Sequence, residues 1–357
     1  MTRVQLFAFI LQTQIGIAVL SFPYDLHKAA GADGWISVLV AGACVQLILV
    51  AYALLCQRFP RQNLYQFVPL IVGKYFGNVI NMVYILHFTF TSCLILLMEM
   101  TFVELWILPH TNPGLVIVAN FIVCLYMAKE NIRIIARYNA LITLLVFVML
   151  AIMMTNFSTM DYRYLLPVGQ EGLHAILLGV KSSLLSFLGF EVVLVLNSDI
   201  QAKGKSLIPP ILWANGLATA FFLIIVLICY TNFSPESINY IPQPVPYYLN
   251  GISLPFLERL DLLFLSIWLV KVTSTQISYL YSAGKGLGYL FHRNEHSKAI
   301  YYLVPLVCLT GIFWRSENKV QFLEQITQYD SFIIFGIPIV LLLVAWLSGE
   351  RGRMPPI

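Results

Sequence analysis

Apolar residues occur along this chain in long blocks, without strict alternation. Ten such blocks, near 4–26, 35–56, 79–108, 115–128, 132–155, 173–196, 208–233, 257–283, 299–314 and 331–347, contain few polar residues. A run of roughly twenty apolar residues predicts a membrane-crossing helix, because a helix satisfies its own backbone hydrogen bonds inside hydrocarbon. The short alternating segments of a membrane barrel are absent. The expected fold class is therefore an all-α polytopic membrane protein with about ten transmembrane helices.

Two blocks are interrupted in the middle. The first carries Gln12, Thr13, Gln14 and Gly16 ahead of Ser21-Phe22-Pro23, and the sixth carries Lys181, Ser182, Ser183 and Ser186 ahead of Gly189 and Glu191. Glycine lets a backbone unwind or a ligand approach it, and proline removes a donor. Unwound backbone survives at membrane depth only where it is buried in protein or lines a cavity. A packing face of small residues is the competing explanation for either span alone. Both breaks fall in the first helix of a five-helix half, a placement that points to a binding site near the bilayer midplane. The expected site residues are Thr13, Gln14, Gly16 and Ile17 in the first break, with Ser186, Phe187, Gly189, Phe190 and Glu191 in the second. The corresponding halves are residues 1–155 and 173–348 of a single transmembrane domain.

Composition agrees with lipid as the solvent: 59% of residues are hydrophobic, 11% are charged and the mean hydropathy is +0.81. A net charge of +4 gives no basis for nucleic-acid binding, so the charge matters through its placement. With the N-terminus inside, the inner segments collect 14 basic residues, among them Lys203, Lys205, Arg293, Arg351 and Arg353. Outside remain Lys28, Arg163, Arg259, Arg315 and Lys319. This bias places both termini in the cytoplasm. The first block lacks a small-residue cleavage site and runs on through Pro23, so it reads as a retained span and not a signal peptide. The six cysteines are scattered singly in or beside apolar spans, a pattern of packing and not of a metal site or a disulfide framework. No HExxH, GxSxG or phosphate loop speaks for an enzyme, and no cofactor is expected.

Connecting segments are short except near 58–78, 156–172, 234–256 and 315–330, which leaves no room for a soluble domain. The segment 235–255, with Pro242, Pro244, Pro246, Tyr240, Tyr247 and Tyr248, reads as stiff, aromatic and non-helical. It is a partner-docking surface, a lid, or an interfacial loop whose tyrosines sit at headgroup level.

Four ionisable residues lie well inside spans: Glu99, Lys181, Glu191 and Lys271. An isolated charge at the bilayer centre costs about 2.5–3.5 kcal/mol on insertion scales, so these side chains are expected to face the bundle or water. For Lys181 and Glu191 a vestibule charge or a structural ion pair is an equal alternative. Lys271, Ser274, Thr275, Ser278 and Ser282 share one helical face, a polar stripe suited to border the first helix. His87, Thr91, Ser92 and Glu99 form a looser polar face in the third.

The opening string from Gln5-Leu6-Phe7 through Gln14-Ile15-Gly16 to Leu20-Ser21-Phe22-Pro23, with Ser186-Phe187-Leu188-Gly189-Phe190-Glu191, resembles the spore germination receptor B-subunit, or spore permease, family. That family lies within the amino acid–polyamine–organocation transporter superfamily, and the similarity runs over the whole chain. The resemblance implies a LeuT-like inverted repeat of five plus five helices, with helices 1 and 6 broken. It also implies residence in the spore inner membrane and two partners, an A-type membrane subunit and a C-type lipoprotein subunit. In sodium-coupled members helices 1 and 8 form an ion site, which proton-coupled relatives can fill with a lysine ammonium. Lys271, beside Ser274 and Thr275, lies on the matching helix, so the chain departs from the hydroxyl pair of a sodium site by adding a cation.

A zwitterionic amino acid suits such a cavity, as the resemblance also implies. Half-helix amides would take its carboxylate, and Glu99, Glu191 or exposed carbonyls its ammonium. Two functions follow: a nutrient germinant sensor that binds a small amino acid and signals to partner subunits, or a proton-coupled amino-acid permease.

Overall fold

The computed structural model describes residues 1–156, 160–200, 207–252, 258–291, 295–314 and 316–349. Lys203, Lys205, Arg293, Arg315, Arg351 and Arg353 lie outside the described residues, as do 253–257 of the proline- and tyrosine-rich segment.

Helices account for every predicted span. The first comprises α1 (Arg3–Gln14), a 3-10 turn (Ile17–Leu20) and α2 (Phe22–Ala30), followed by α3 (Gly34–Arg58). A nine-residue helix α4 (Leu64–Val72) precedes α5 (Lys74–Phe102), which ends in a π turn (Val103–Ile107). Next come α6 (Pro113–Ala128), then α7 (Ile132–Ile142) and α8 (Leu144–Met153) as one kinked span. The sixth span divides into α9 (Gly172–Ser186) and α10 (Val192–Leu196), with α11 (Ile208–Asn232) as the seventh. After α12 (Pro244–Asn250), α13 (Leu260–Leu290), α14 (His296–Phe313) and α15 (Glu317–Leu347) complete the chain. Among the described residues seven helical segments are long and apolar enough to cross a membrane, and Pro113–Ala128 and Gly172–Ser186 are shorter apolar helices.

Local chemistry explains the boundaries. Thr2 and Gln5 form a reciprocal capping box at the start of α1, and Asn63 and Gln66 repeat it at α4. Each cap is worth about 1 kcal/mol by satisfying donors that a helix start leaves free. The kink between α7 and α8 sits at Thr143, whose hydroxyl lies 2.7 Å from the Asn139 carbonyl and 3.2 Å from that of Ala8. A hydroxyl inserted into the ladder bends it.

Two expectations are corrected. The segment 235–255 is not non-helical, since Ser237–Tyr240 is a 3-10 turn and α12 follows. Pro244 stands in the first turn of α12, where its missing N–H costs nothing. Tyr248 is buried, and its hydroxyl donates to the Met153 carbonyl at 3.3 Å, whereas Tyr240 and Tyr247 are exposed. The last span starts at Glu317, so most of 315–330 is helix and not loop. Lys181 lies on an exposed face of α9, outside the bundle interior.

α1 lies at the centre, packed against α7, α11 and α13, while α5 packs along α13 and α3 against α9 and α11. Phe9, Phe187, Phe190, Phe222 and Trp268 fill the spaces between them. The exterior is itself apolar, with Leu47, Leu141, Leu144, Trp213 and Trp346 exposed, the surface a bilayer requires.

Candidate functional site

The two breaks meet. α1 ends when the Ile15 N–H bonds the Leu11 carbonyl and the backbone then leaves helical geometry. Across from it, Gly189 adopts φ +119, and a Cβ there would sit 2.5 Å from the Thr13 carbonyl carbon and 2.9 Å from the Gln14 nitrogen. Only glycine permits that backbone-to-backbone approach. The Thr13 hydroxyl lies 3.0 Å from the carbonyls of Phe9, Ile10 and Gly189, so one side chain serves both broken helices.

A cavity of about 300 Å³ opens beside this junction, at the low end of ligand-sized pockets. Thr13, Gln14, Gly16, Ile17 and Ser186 line it from the breaks, and Thr275 and Tyr279 from α13. Leu94, Ile95 and Met98 of α5 add an apolar part to the lining, and Asp25 of α2 and Glu324 of α15, both exposed, line it as well. Gln14 is fully buried with a fixed orientation: its amide nitrogen donates to Asn215 Oδ1 at 3.1 Å, while Asn215 Nδ2 donates to the Gly42 carbonyl at 3.0 Å. Asn215 must therefore present oxygen to Gln14, which leaves Gln14 Oε1 as an acceptor without a partner. Thr91, also on the cavity wall, has a buried hydroxyl in the same condition.

Glu191 is close by but points away from the cavity. Fully buried, it accepts from the Gly189 N–H at 2.8 Å and the Tyr279 hydroxyl at 2.9 Å, with His87 Nε2 at 3.5 Å. His87 Nδ1 lies 2.9 Å from Asp330 Oδ1, so the imidazole bridges carboxylates of α15 and of the helix 6 break. This network joins α5, α13 and α15 to Gly189, with Tyr279 as its link to the cavity.

Lys271 is buried and donates to Gln12 Oε1 at 2.7 Å, and Gln12 Nε2 donates to Ser274 Oγ at 2.5 Å. The Thr275 hydroxyl lies 3.2 Å from the Gln12 carbonyl. The polar stripe thus borders helix 1, and its lysine engages the side-chain amide of Gln12.

The remaining expected site residues are distributed elsewhere. Glu99 lies on another face of α5, receiving Asn120 Nδ2 at 3.1 Å and the Thr273 hydroxyl at 3.2 Å. Phe187 packs on Phe222 with ring centroids 5.1 Å apart, and Phe190 on Phe335 at 4.8 Å. Neither phenylalanine borders the cavity. The carboxylates that do, Asp25 and Glu324, were not anticipated. Asp25 sits at the very end of the first apolar block, and Glu324 in a segment read as a loop.

Two broken helical spans that touch beside a cavity, within a bundle of long apolar helices, define a polytopic helical membrane protein. The structure of MhsT in complex with L-phenylalanine shares this fold, with a TM-score of 0.71 over 98% of this chain and 89% of that one at 14% identity. The chain belongs to the spore germination protein family, whose sequence model matches residues 1–320. It is 26% identical over 356 residues to spore germination protein YndE of Bacillus subtilis (strain 168), covering 99% of this chain and 98% of the relative. Spore germination protein B2 of the same strain is 23% identical, covering 99% and 97%. GerQB of Bacillus cereus is 22% identical, covering 96% and 93%.

Proposed function

We propose that this chain is the nutrient-sensing subunit of a spore germination receptor. A small amino acid binds in the cavity between the broken helices, and the two breaks rearrange together to signal to an A-type membrane subunit and a C-type lipoprotein. The chain resides in the spore inner membrane with both termini cytoplasmic, and residues 1–155 and 173–348 act as its two repeats. The observation that carries this reading is the cavity at the Thr13–Gly189 junction, in a family of spore germination proteins and a fold whose solved relative holds L-phenylalanine. Backbone at Gly16 and Ile17, which line the cavity, offers polar groups to a carboxylate. A sensor needs differential affinity between two conformations and no turnover.

A proton-coupled permease is the second reading, favoured by the buried His87–Glu191–Tyr279 chain that reaches the cavity. Purified protein in liposomes, given labelled amino acids with and without a pH gradient, separates the two. Binding without concentrative uptake supports the sensor. Accumulation that collapses with a protonophore refutes it. Copurification with an A-type and a lipoprotein subunit tests the partners independently.

A further inference from the structure

The interior of α15 contains Pro338, which has no N–H, so the Ile334 carbonyl four residues earlier loses its helical partner. Two side chains from other helices replace it. The Tyr52 hydroxyl of α3 donates to the Ile334 carbonyl at 3.2 Å, and the Tyr84 hydroxyl of α5 donates to it at 3.1 Å. Both tyrosines are fully buried, and together they occupy both lone pairs of the oxygen. A proline in α4 is repaired more simply: Pro69 frees the Tyr65 carbonyl, which accepts from Asn81 Nδ2 at 3.0 Å. Two residues before Pro338, an added Cβ on Gly336 would meet no atom within 4 Å, so packing does not call for glycine there. Glycine and proline so close together make this the weakest stretch of α15 by helix propensity, and the kind of place where helices bend.

The two sides of that stretch are tied to different parts of the molecule. Ahead of it, Glu324, Thr327 and Gln328 line the cavity, Asp330 meets His87, and Phe335 stacks on Phe190 of the helix 6 break. Beyond it, the Ala345 carbonyl accepts from the Arg58 guanidinium at the end of α3, 2.5 Å away.

We propose that α15 pivots between Ile334 and Pro338, with Tyr52 and Tyr84 as positioning residues that hold the pivot. The part before the pivot follows the helix 6 break and sets the width of the cavity, while the part after it stays on α3. The pivot is independent of what the cavity binds.

Pro338→Ala supplies the missing N–H and so tests the clamp. In the native background Tyr52→Phe/Tyr84→Phe leaves the Ile334 carbonyl buried and bare. Thermal unfolding followed by intrinsic fluorescence should then show a lower midpoint, corresponding to a shift of about tenfold in the unfolding equilibrium. In the Pro338→Ala background the same pair of substitutions should leave the midpoint where Pro338→Ala alone puts it. Equal losses in both backgrounds overturn the clamp. Spin labels test the motion. In the full chain with its six cysteines replaced, labels on Phe322→Cys and Trp346→Cys, both exposed positions of α15, are each paired with one on Leu141→Cys of α7. The 322–141 distance distribution should widen in the tyrosine double variant and narrow in Pro338→Ala, with the 346–141 distribution unchanged. A 322–141 distribution that neither substitution alters overturns the pivot. The unfolding comparison needs no cysteine change and decides alone if the cysteine-free chain does not fold. Neither measurement uses a ligand, so the amino-acid site stands or falls separately in the liposome experiment.

Discussion

Replacing Gly189 by alanine tests how the two breaks are held together. At φ +119 a side chain is strained in any surroundings, at about 1–3 kcal/mol. The added carbon also falls 2.5 Å from the Thr13 carbonyl carbon, a backbone atom that cannot swing aside. Relieving such overpacking costs about 1–3 kcal/mol more, so Gly189→Ala should destabilise by roughly 2–6 kcal/mol. Gly16→Ala is the internal control. Its Cβ would meet the Thr13 oxygen and Thr275 Cγ2 at 3.6 Å each, ordinary contacts, and its φ is negative. A smaller loss than in Gly189→Ala is expected there, because no backbone atom has to move. The six native cysteines are free, five of them buried, so a thiol-reactive fluorescent dye reports thermal unfolding in detergent. Gly189→Ala should label at a clearly lower temperature than both the native protein and Gly16→Ala. Because Gly16 lines the cavity, its variant should instead alter ligand binding. Equal unfolding midpoints for the two variants would refute the argument that a main-chain contact at Gly189 sets the geometry of helix 6.

Three other outcomes are expected. Lys271→Met leaves Gln12 Oε1 buried without its donor, a loss of about 1–3 kcal/mol that should lower the unfolding temperature. Lys271→Arg should rescue poorly, since a planar fork does not replace a compact ammonium, and full stability in the methionine variant would show the contact to be dispensable. Tyr279→Phe removes one of three donors around Glu191 and should cost about 1.5–3 kcal/mol, with unaltered stability and response counting against a structural network at the helix 6 break. Glu191→Gln should reduce apparent affinity or response amplitude through that network without direct ligand contact, and identical dose-response curves across pH would relegate Glu191 to packing.

The broken helices were legible because a glycine among glutamine, threonine and serine contrasts sharply with an apolar run. Ten spans were equally legible, since hydrocarbon thickness fixes the length of an apolar block. Which face of each span looks inward was not, because lipid-facing and bundle-facing positions are both apolar. Glu99 and Thr91 stand on the same helix, yet only Thr91 reaches the cavity. The His87–Glu191–Asp330 bridge joins residues 104 and 243 positions apart, beyond any local pattern. The α4 helix did have a local signal, Asn63 three residues before Gln66, obscured by Pro69 within the helix. Glu324 was hidden by polarity: Glu317, Glu324, Gln325 and Gln328 make the start of α15 look like a loop, although the helix continues through them.

A metal ion held between two helices can depart to either side of a membrane, and its departure can do work. Lys271 is anchored to α13 through its own side chain, so the cation beside Gln12 can never dissociate. On the reading proposed above, what this contact would trade with its surroundings is a proton. On the same reading, sodium free energy would have no lever there, and the junction between α1 and α13 would keep its charge partner as long as the lysine stays protonated.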